Sequence, residues 1–184
     1  MATLNPELAK EWHPTKNGDL KPSMVTKNAN KKVWWKCSNK DCGHEWKALV
    51  NSRNRKVEAT GCPKCNQSKG EKQISIYLEK KHIKFKAQYR TKKCKNSNTL
   101  PFDFAILSKK EDLICLIEFD GQQHFYPNAM FGGEESFKKT KQNDEIKTNY
   151  CINNNIPLIR IPYWLRDYVD VVLDHFLIPL LEEE

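Results

Sequence analysis

From about residue 70 onward the apolar positions fall into two kinds of run. Ser68-Lys-Gly-Glu71 has the S-x-x-E spacing of a capping box, and Ile74, Tyr77 and Leu78 follow as a helical stripe to about Lys81. IKFKAQY alternates as a strand, and LPFDFAIL (Leu100 to Leu107) and LICLIEFD (Leu113 to Asp120) read as two more, joined by a polar hairpin at 108–112. Glu134 to Asn153 has a helical pattern, Pro157 to Pro162 a short strand pattern. Trp164 to Leu181 reads as one final helix with Val169, Val172, Leu173 and Phe176 inward. Helix, three strands, helix, strand, helix make a small α/β sandwich. The first third has less pattern: Glu45 to Val50 is a strand candidate, with Lys56 to Ala59 as its return.

Alternation along LICLIEFD sets Leu113, Cys115, Ile117 and Phe119 on one face and Ile114, Leu116, Glu118 and Asp120 on the other. Both faces begin apolar, so the strand is expected to be central and covered on both sides. Carboxylates at the end of such a face need a counter-charge. Asp103, in the neighbouring strand, reaches the same end, and three converging carboxylates suit Mg²⁺ or Mn²⁺; the alternative is salt bridging to Lys or Arg. Gly121 permits a turn that returns His124 to the carboxylates, where a neutral imidazole can move a proton. Thr140, Asp144, Lys147 and Cys151 fall on one helical stripe. On it Lys147 can pair with Asp144 at the surface.

Composition adds a second theme. The 184 residues carry a formal charge of +8, and seven cysteines, an odd number. Residues 1–69 hold 14 Lys/Arg and 6 Asp/Glu, and residues 70–184 hold 17 of each, so the whole excess lies in the first third. A basic module is expected to grip a polyanion through phosphate contacts. Cys37, Cys42, Cys62 and Cys65 read C-x4-C, nineteen residues, C-x2-C, the paired spacing of a structural zinc site. Gly43 and Gly61 flank the pairs where turns around sulfur favour positive φ. His44 reads as a neighbour of the site. Trp12, Trp34, Trp35 and Trp46 substitute for a core too small to form otherwise, base stacking being the alternative for an exposed one. Cys115 and Cys151 read as core. No apolar run reaches 18 residues and the N-terminus lacks an apolar signal core, so an intracellular protein, cytoplasmic or in the nucleoid or nucleus, is expected.

Two resemblances sharpen this. EWHPTKNGDLKPSMVTKNANKKVWWKC, CGHEWKALVNSRNRK and GCPKC resemble the treble-clef module often called a probable zinc-ribbon domain, over roughly Leu8 to Cys65. The resemblance implies a zinc knuckle, a hairpin, a second ligand pair near a helix start, and nucleic-acid binding. PFDFAI, LIEFDGQQHF, NDEIKTNYC and IPLIRIPY resemble the PD-(D/E)xK nuclease superfamily over about Gly70 to Tyr163, closest to very-short-patch-repair and EDxHD homing endonucleases. That implies a restriction-endonuclease-like sandwich on a central mixed sheet in residues 70–184, after a treble-clef DNA-binding module in 1–69.

By this resemblance Pro101-Phe102-Asp103 stands for the PD element and Glu118-Phe119-Asp120 for (D/E)xK, with Asp120 where the lysine is usual. It adds Glu71 to the site, alongside its capping role. The expected activity is Mg²⁺-dependent hydrolysis of double-stranded DNA, with Glu71, Asp103, Glu118, Asp120, His124 and Lys147 as the site. One catalytic domain per chain is compatible with nicking or with a homodimer cutting both strands. A mismatch or repair nickase and a silent DNA-binding protein are the alternatives.

Overall fold

Residues 5–40, 42–55, 59–129 and 132–182 are described by the computed structural model, and they fall into two units, Met1–Gln67 and Ser68–Glu184. No helix among them is long and apolar enough to cross a membrane.

In the first unit Asn5 caps a short helix, α1 (Pro6–Lys10), by accepting the Leu8 amide at 3.1 Å. Strand β1 (Lys32–Lys36) pairs antiparallel with β2 (Glu45–Leu49), and one turn of helix, α2 (Val50–Arg53), follows. β2 therefore finds its partner upstream, in the Trp-rich segment, and not in the expected return strand. Of that return, Lys56 to Glu58 lie outside the described residues and Ala59 is not in a strand. The core is Leu8, Trp12, Val25, Val33, Trp35 and Val50, with Trp35 fully buried and meeting Trp12 edge to face at 5.5 Å. The Arg53 guanidinium lies 4.8 Å from both the Trp35 and Trp46 rings and ion-pairs with Glu11. A planar cation can stack there without losing its hydrogen-bonding edge.

In the second unit the capping box forms: the Glu71 amide donates to Ser68 Oγ at 3.2 Å, and the Ser68 amide donates to Glu71 Oε2 at 2.6 Å. It starts helix α3 (Lys69–Lys80). Strands β3 (Phe85–Lys95), β4 (Thr99–Leu107) and β5 (Leu113–Asp120) form an antiparallel meander. Helix α4 (Gly133–Asn153) then crosses over to β6 (Leu158–Pro162), parallel to β5. The sheet order β3-β4-β5-β6 leaves β5 central, as its two apolar faces required. One face carries Phe104, Ile106, Cys115, Ile117 and Ile161 against Ile74 and Leu78 of α3. The other carries Phe102, Ala105 and Leu116 against Cys151 of α4.

The expected final helix is broken. Tyr163–Tyr168 is a 3-10 segment, α5 is Val169–Phe176 and α6 is Ile178–Glu182. Pro179 has no amide hydrogen to continue the ladder, so the helix stops at Leu177 and restarts. Val169, Leu173 and Leu177 are buried, but Phe176, expected inward, is 55% exposed.

Gly70 fixes how α3 approaches the sheet. A Cβ there would lie 2.2 Å from carbons of the Phe119 ring, a collision that only displacement of α3 or Phe119 relieves. Gly70→Ala, which favours the helix by propensity alone, is expected to destabilise the second unit by about 1–3 kcal/mol. A thermal melt checks this, and an unchanged or raised midpoint would show that the close approach is not tight.

Candidate functional site

The close approach at Gly70 brings the first turn of α3 beside the carboxyl end of β5. The β4–β5 ladder runs as far as Phe104↔Ile117. Beyond it the Phe119 amide donates to the Asp103 side chain, Oδ2 at 2.7 Å. Glu118 is buried, and Lys147 of α4 reaches both its oxygens, at 2.7 and 2.9 Å. The Lys147 ammonium also sits 5.4 Å from the centre of the Phe102 ring. Burial, and then the charge of Asp103, push the Glu118 carboxyl up to about 7 even with Lys147 opposing. Burial also pushes Asp103 up to about 6; the Phe119 amide opposes this and the Glu71 charge adds to it. Glu71 keeps its capping role and takes a second partner, Gln88 Nε2, at 3.1 Å from Oε1.

Asp120 belongs to a different set. Arg160 of β6 grips both its oxygens, Nε to Oδ2 at 2.7 Å and Nη2 to Oδ1 at 2.6 Å, and reaches Asp144 Oδ1 at 2.9 Å. His124 stands in a 3-10 turn, Gln122–His124, with Nδ1 2.8 Å from Asp144 Oδ2 and 3.6 Å from Asp120 Oδ1. Burial raises the Asp144 carboxyl, but hydrogen bonds from His124 and Arg160 outweigh it and hold Asp144 below its usual range. Gly121 does not make the turn through positive φ; its φ is −67°.

The three carboxylates expected to share one cation therefore separate. Asp103 and Glu118 stand with Glu71 and Lys147, whereas Asp120 stands with His124, Asp144 and Arg160. Among the described residues the group with ligand atoms within 4.8 Å of one another at this end of the sheet is Asp120, His124 and Asp144. The reason is counter-charge: Asp120 is opposite a guanidinium that takes both its oxygens. Asp144 and Lys147 do not pair with each other at the surface; Asp144 turns to Arg160 of β6 and Lys147 to Glu118 of β5. Two residues escaped the sequence reading. Arg160 was signalled by a cation in the middle of the apolar IPLIRIPY, in register with Glu118. Gln88 had no signal.

The other cluster is the four thiols. Cys37 and Cys65 sulfurs lie 3.6 Å apart, Cys42 and Cys62 sulfurs 3.7 Å, and all four within 4.8 Å of one another. A tetrahedron with 2.3 Å zinc–sulfur bonds has edges of about 3.8 Å, so the four sulfurs fit zinc without rearrangement. Burial and the neighbouring sulfurs push the Cys65 thiol up to about 12, so four thiolates this close need a cation's charge to coexist. Gly43 turns at φ +55°, as expected, but Gly61 does not. His44 supplies a carbonyl to the Cys37 amide at 2.8 Å, and its ring stacks on Trp46 at 5.8 Å.

Residues 8–68 match the model of a family described as a probable treble clef zinc finger domain. Uncharacterized protein 307L of Invertebrate iridescent virus 6 is 36% identical over 53 residues, which are 28% of this chain and 26% of that protein. The chain thus spans about a quarter of the length of the relative it matches. The first unit is a treble-clef zinc module, and the second a mixed α/β domain on a four-stranded sheet.

Purified protein should carry one zinc per chain, and its removal should unfold the treble-clef module while the second unit, with its own core, keeps its melting transition. Absence of zinc by metal analysis, with all four thiols freely reactive in the native state, would contradict this. Asp103 has a folded-state value of about 6 against an ordinary 3.8. The folded state thus holds a proton that the unfolded chain has lost, and stability falls as pH rises through that window. Without added Mg²⁺, Asp103→Asn should flatten that fall, leaving the share of Glu118, and stabilise the protein at pH 8 by about 1–2 kcal/mol, allowing for partial exposure. Melts at pH 4 to 8 test it, and a variant with wild-type pH dependence would refute it.

Proposed function

We propose that the second unit is a metal-dependent endonuclease hydrolysing phosphodiester bonds in DNA, and that the treble-clef module grips the nucleic acid. The observation that carries this reading is the charge gathered at the carboxyl end of β5: Glu118 on a buried ammonium, Asp103 near enough to raise it and Glu71 near enough to raise Asp103, with an imidazole hydrogen-bonded to a carboxylate. The element order α3-β3-β4-β5-α4-β6 supports a restriction-endonuclease-like sandwich. The places of Glu71, Asp103, Glu118 and His124 in it support the PD-(D/E)xK resemblance.

Hard oxygen donors suit a divalent cation, which would sit at Asp103 and Glu118 with Glu71 near Asp103, although these three do not come within 4.8 Å of one another as Asp120, His124 and Asp144 do. Asp103, Glu118 and Glu71 are oxygen ligands whose negative charge exceeds that of Lys147. Asp120 and Asp144 are compensated by Arg160, which makes that set the poorer cation site. A bound Mg²⁺ or Mn²⁺ would polarise the phosphate and lower the pKa of water. Lys147 supplies positive charge where the phosphate's negative charge grows. With Nδ1–H donated to Asp144, His124 has Nε2 as its proton acceptor and serves as general base. Asp120 and Arg160 keep Asp144, and through it the imidazole, in place.

Cleavage of supercoiled, nicked, mismatched and single-stranded DNA with Mg²⁺ tests the reading. Asp103→Asn and Glu118→Ala should abolish cutting and leave DNA binding intact, and His124→Ala should lose about 10²–10⁴-fold in rate. Glu118→Ala also leaves Lys147 buried without its partner, so it is expected to be less stable by about 3–5 kcal/mol and to melt lower. Glu118→Ala protein cutting at the wild-type rate would sink the nuclease reading. Wild-type protein that binds DNA but cuts none of these substrates would leave a DNA-binding protein.

A further inference from the structure

The neutrality of residues 70–184 conceals a segregation. Between Glu79 and Asp103 there are eight Lys/Arg and no Asp/Glu, while the rest of that span has nine Lys/Arg against seventeen Asp/Glu. Most of the eight lie on β3, which is eleven residues long and, among the described residues, pairs with β4 alone and forms an edge of the sheet. Edge strands carry lysine to discourage pairing with other chains, and that accounts for part of the charge. Here Lys84 pairs with Glu111 and Arg90 donates to the Thr99 carbonyl. Lys86, Lys92, Lys93 and Lys95 are exposed and form no ion pair with any described residue. They span at most about 30 Å, roughly nine base steps along one nucleic-acid strand.

The edge is joined to the carboxylate set. Between the pairs Ala87↔Phe104 and Tyr89↔Phe102, Gln88 adopts φ +51°, a left-handed conformation uncommon for glutamine, and its side chain donates to Glu71. The kink stands opposite Asp103, with Lys86 two residues before it and Lys92, Lys93 and Lys95 continuing past it along the border of the sheet.

We propose that the exposed edge of β3 is a phosphate-binding track, through which the second unit holds a nucleic-acid backbone independently of the treble-clef module. The choice of nucleic acid as the polyanion rests on the nuclease reading. The excess charge of the first 69 residues is then not the whole grip, contrary to what the net charges of the two parts imply.

The test uses the full chain without Mg²⁺, a fluorescent 20-base-pair duplex, and anisotropy titrations across a series of salt concentrations. The quadruple variant Lys86→Gln, Lys92→Gln, Lys93→Gln, Lys95→Gln should lower the slope of log affinity against log salt by about 3 to 4 and weaken binding more than tenfold at 0.1 M salt. Lys109→Gln with Lys110→Gln, in the β4–β5 turn, should change neither. If the quadruple variant melts lower than wild type, the pairs Lys86/Lys95 and Lys92/Lys93 made separately should each take about half the loss. A wild-type slope in these variants, or an equal loss per lysine in the turn control, would overturn the proposal. A polyglutamate peptide that outcompetes the duplex at the same salt would also overturn it. Slopes are measured without cutting, so wild-type protein that binds through β3 and fails to cleave with Mg²⁺ would sink the nuclease reading alone.

Discussion

A carboxylate cannot be buried at the end of an apolar strand without a counter-charge, and the second unit is organised around that requirement. Strand β5 carries Glu118 and Asp120 into the sheet on the face that α4 covers. Lys147 from α4 answers the first and Arg160 from β6 the second. Each answer ties two elements together, so α4 and β6 are held in register with β5 by charge as well as by packing. Burial of such pairs adds little net stability, because desolvation offsets most of the attraction, but breaking one is costly. Its effect is to fix which side chains stand beside which. Gly70 then lets α3 close over Phe119 and deliver Glu71 to the same place.

The treble-clef module meets a different shortage. Among the described residues its core is six side chains, and two of them are tryptophans. Four sulfurs at tetrahedral spacing and an arginine held between two indole rings bind segments distant in sequence that so few apolar contacts would leave loose. Both units thus use ionic or coordinative chemistry where hydrophobic area runs short. In the second unit the same chemistry leaves an incompletely neutralised end, which is where function is proposed.

Much of this was legible in the chain. The bounds of β5 could be read because both its faces alternate cleanly, and the capping box because its two residues satisfy each other locally. The paired cysteine spacing gave the sulfur cluster. What could not be read depended on partners far away in sequence. The separation of Asp120 from Asp103 and Glu118 turns on Arg160, forty residues after Asp120 and on a strand whose pairing direction is set by the α4 crossover. The length of β3 was hidden by its own lysines, which resemble a loop until the strand is seen at an edge. The break at Leu177 was legible in Pro179 and overlooked because the apolar stripe continues past it. The partner of β2 was not legible, because Trp34 and Trp35 read as core aromatics beside the first cysteine pair and not as a strand.

The claim on which the functional reading turns is that the uncompensated charge lies with Asp103 and Glu118 and not with Asp120, His124 and Asp144. Anomalous difference density from crystals grown with Mn²⁺ measures it directly. A peak beside the Asp103 and Glu118 carboxylates, with the Lys147 ammonium moved off Glu118, is the expected result. A peak ligated by Asp120, His124 and Asp144 with the Glu118–Lys147 pair intact would contradict it, as would the absence of any peak at this end of the sheet.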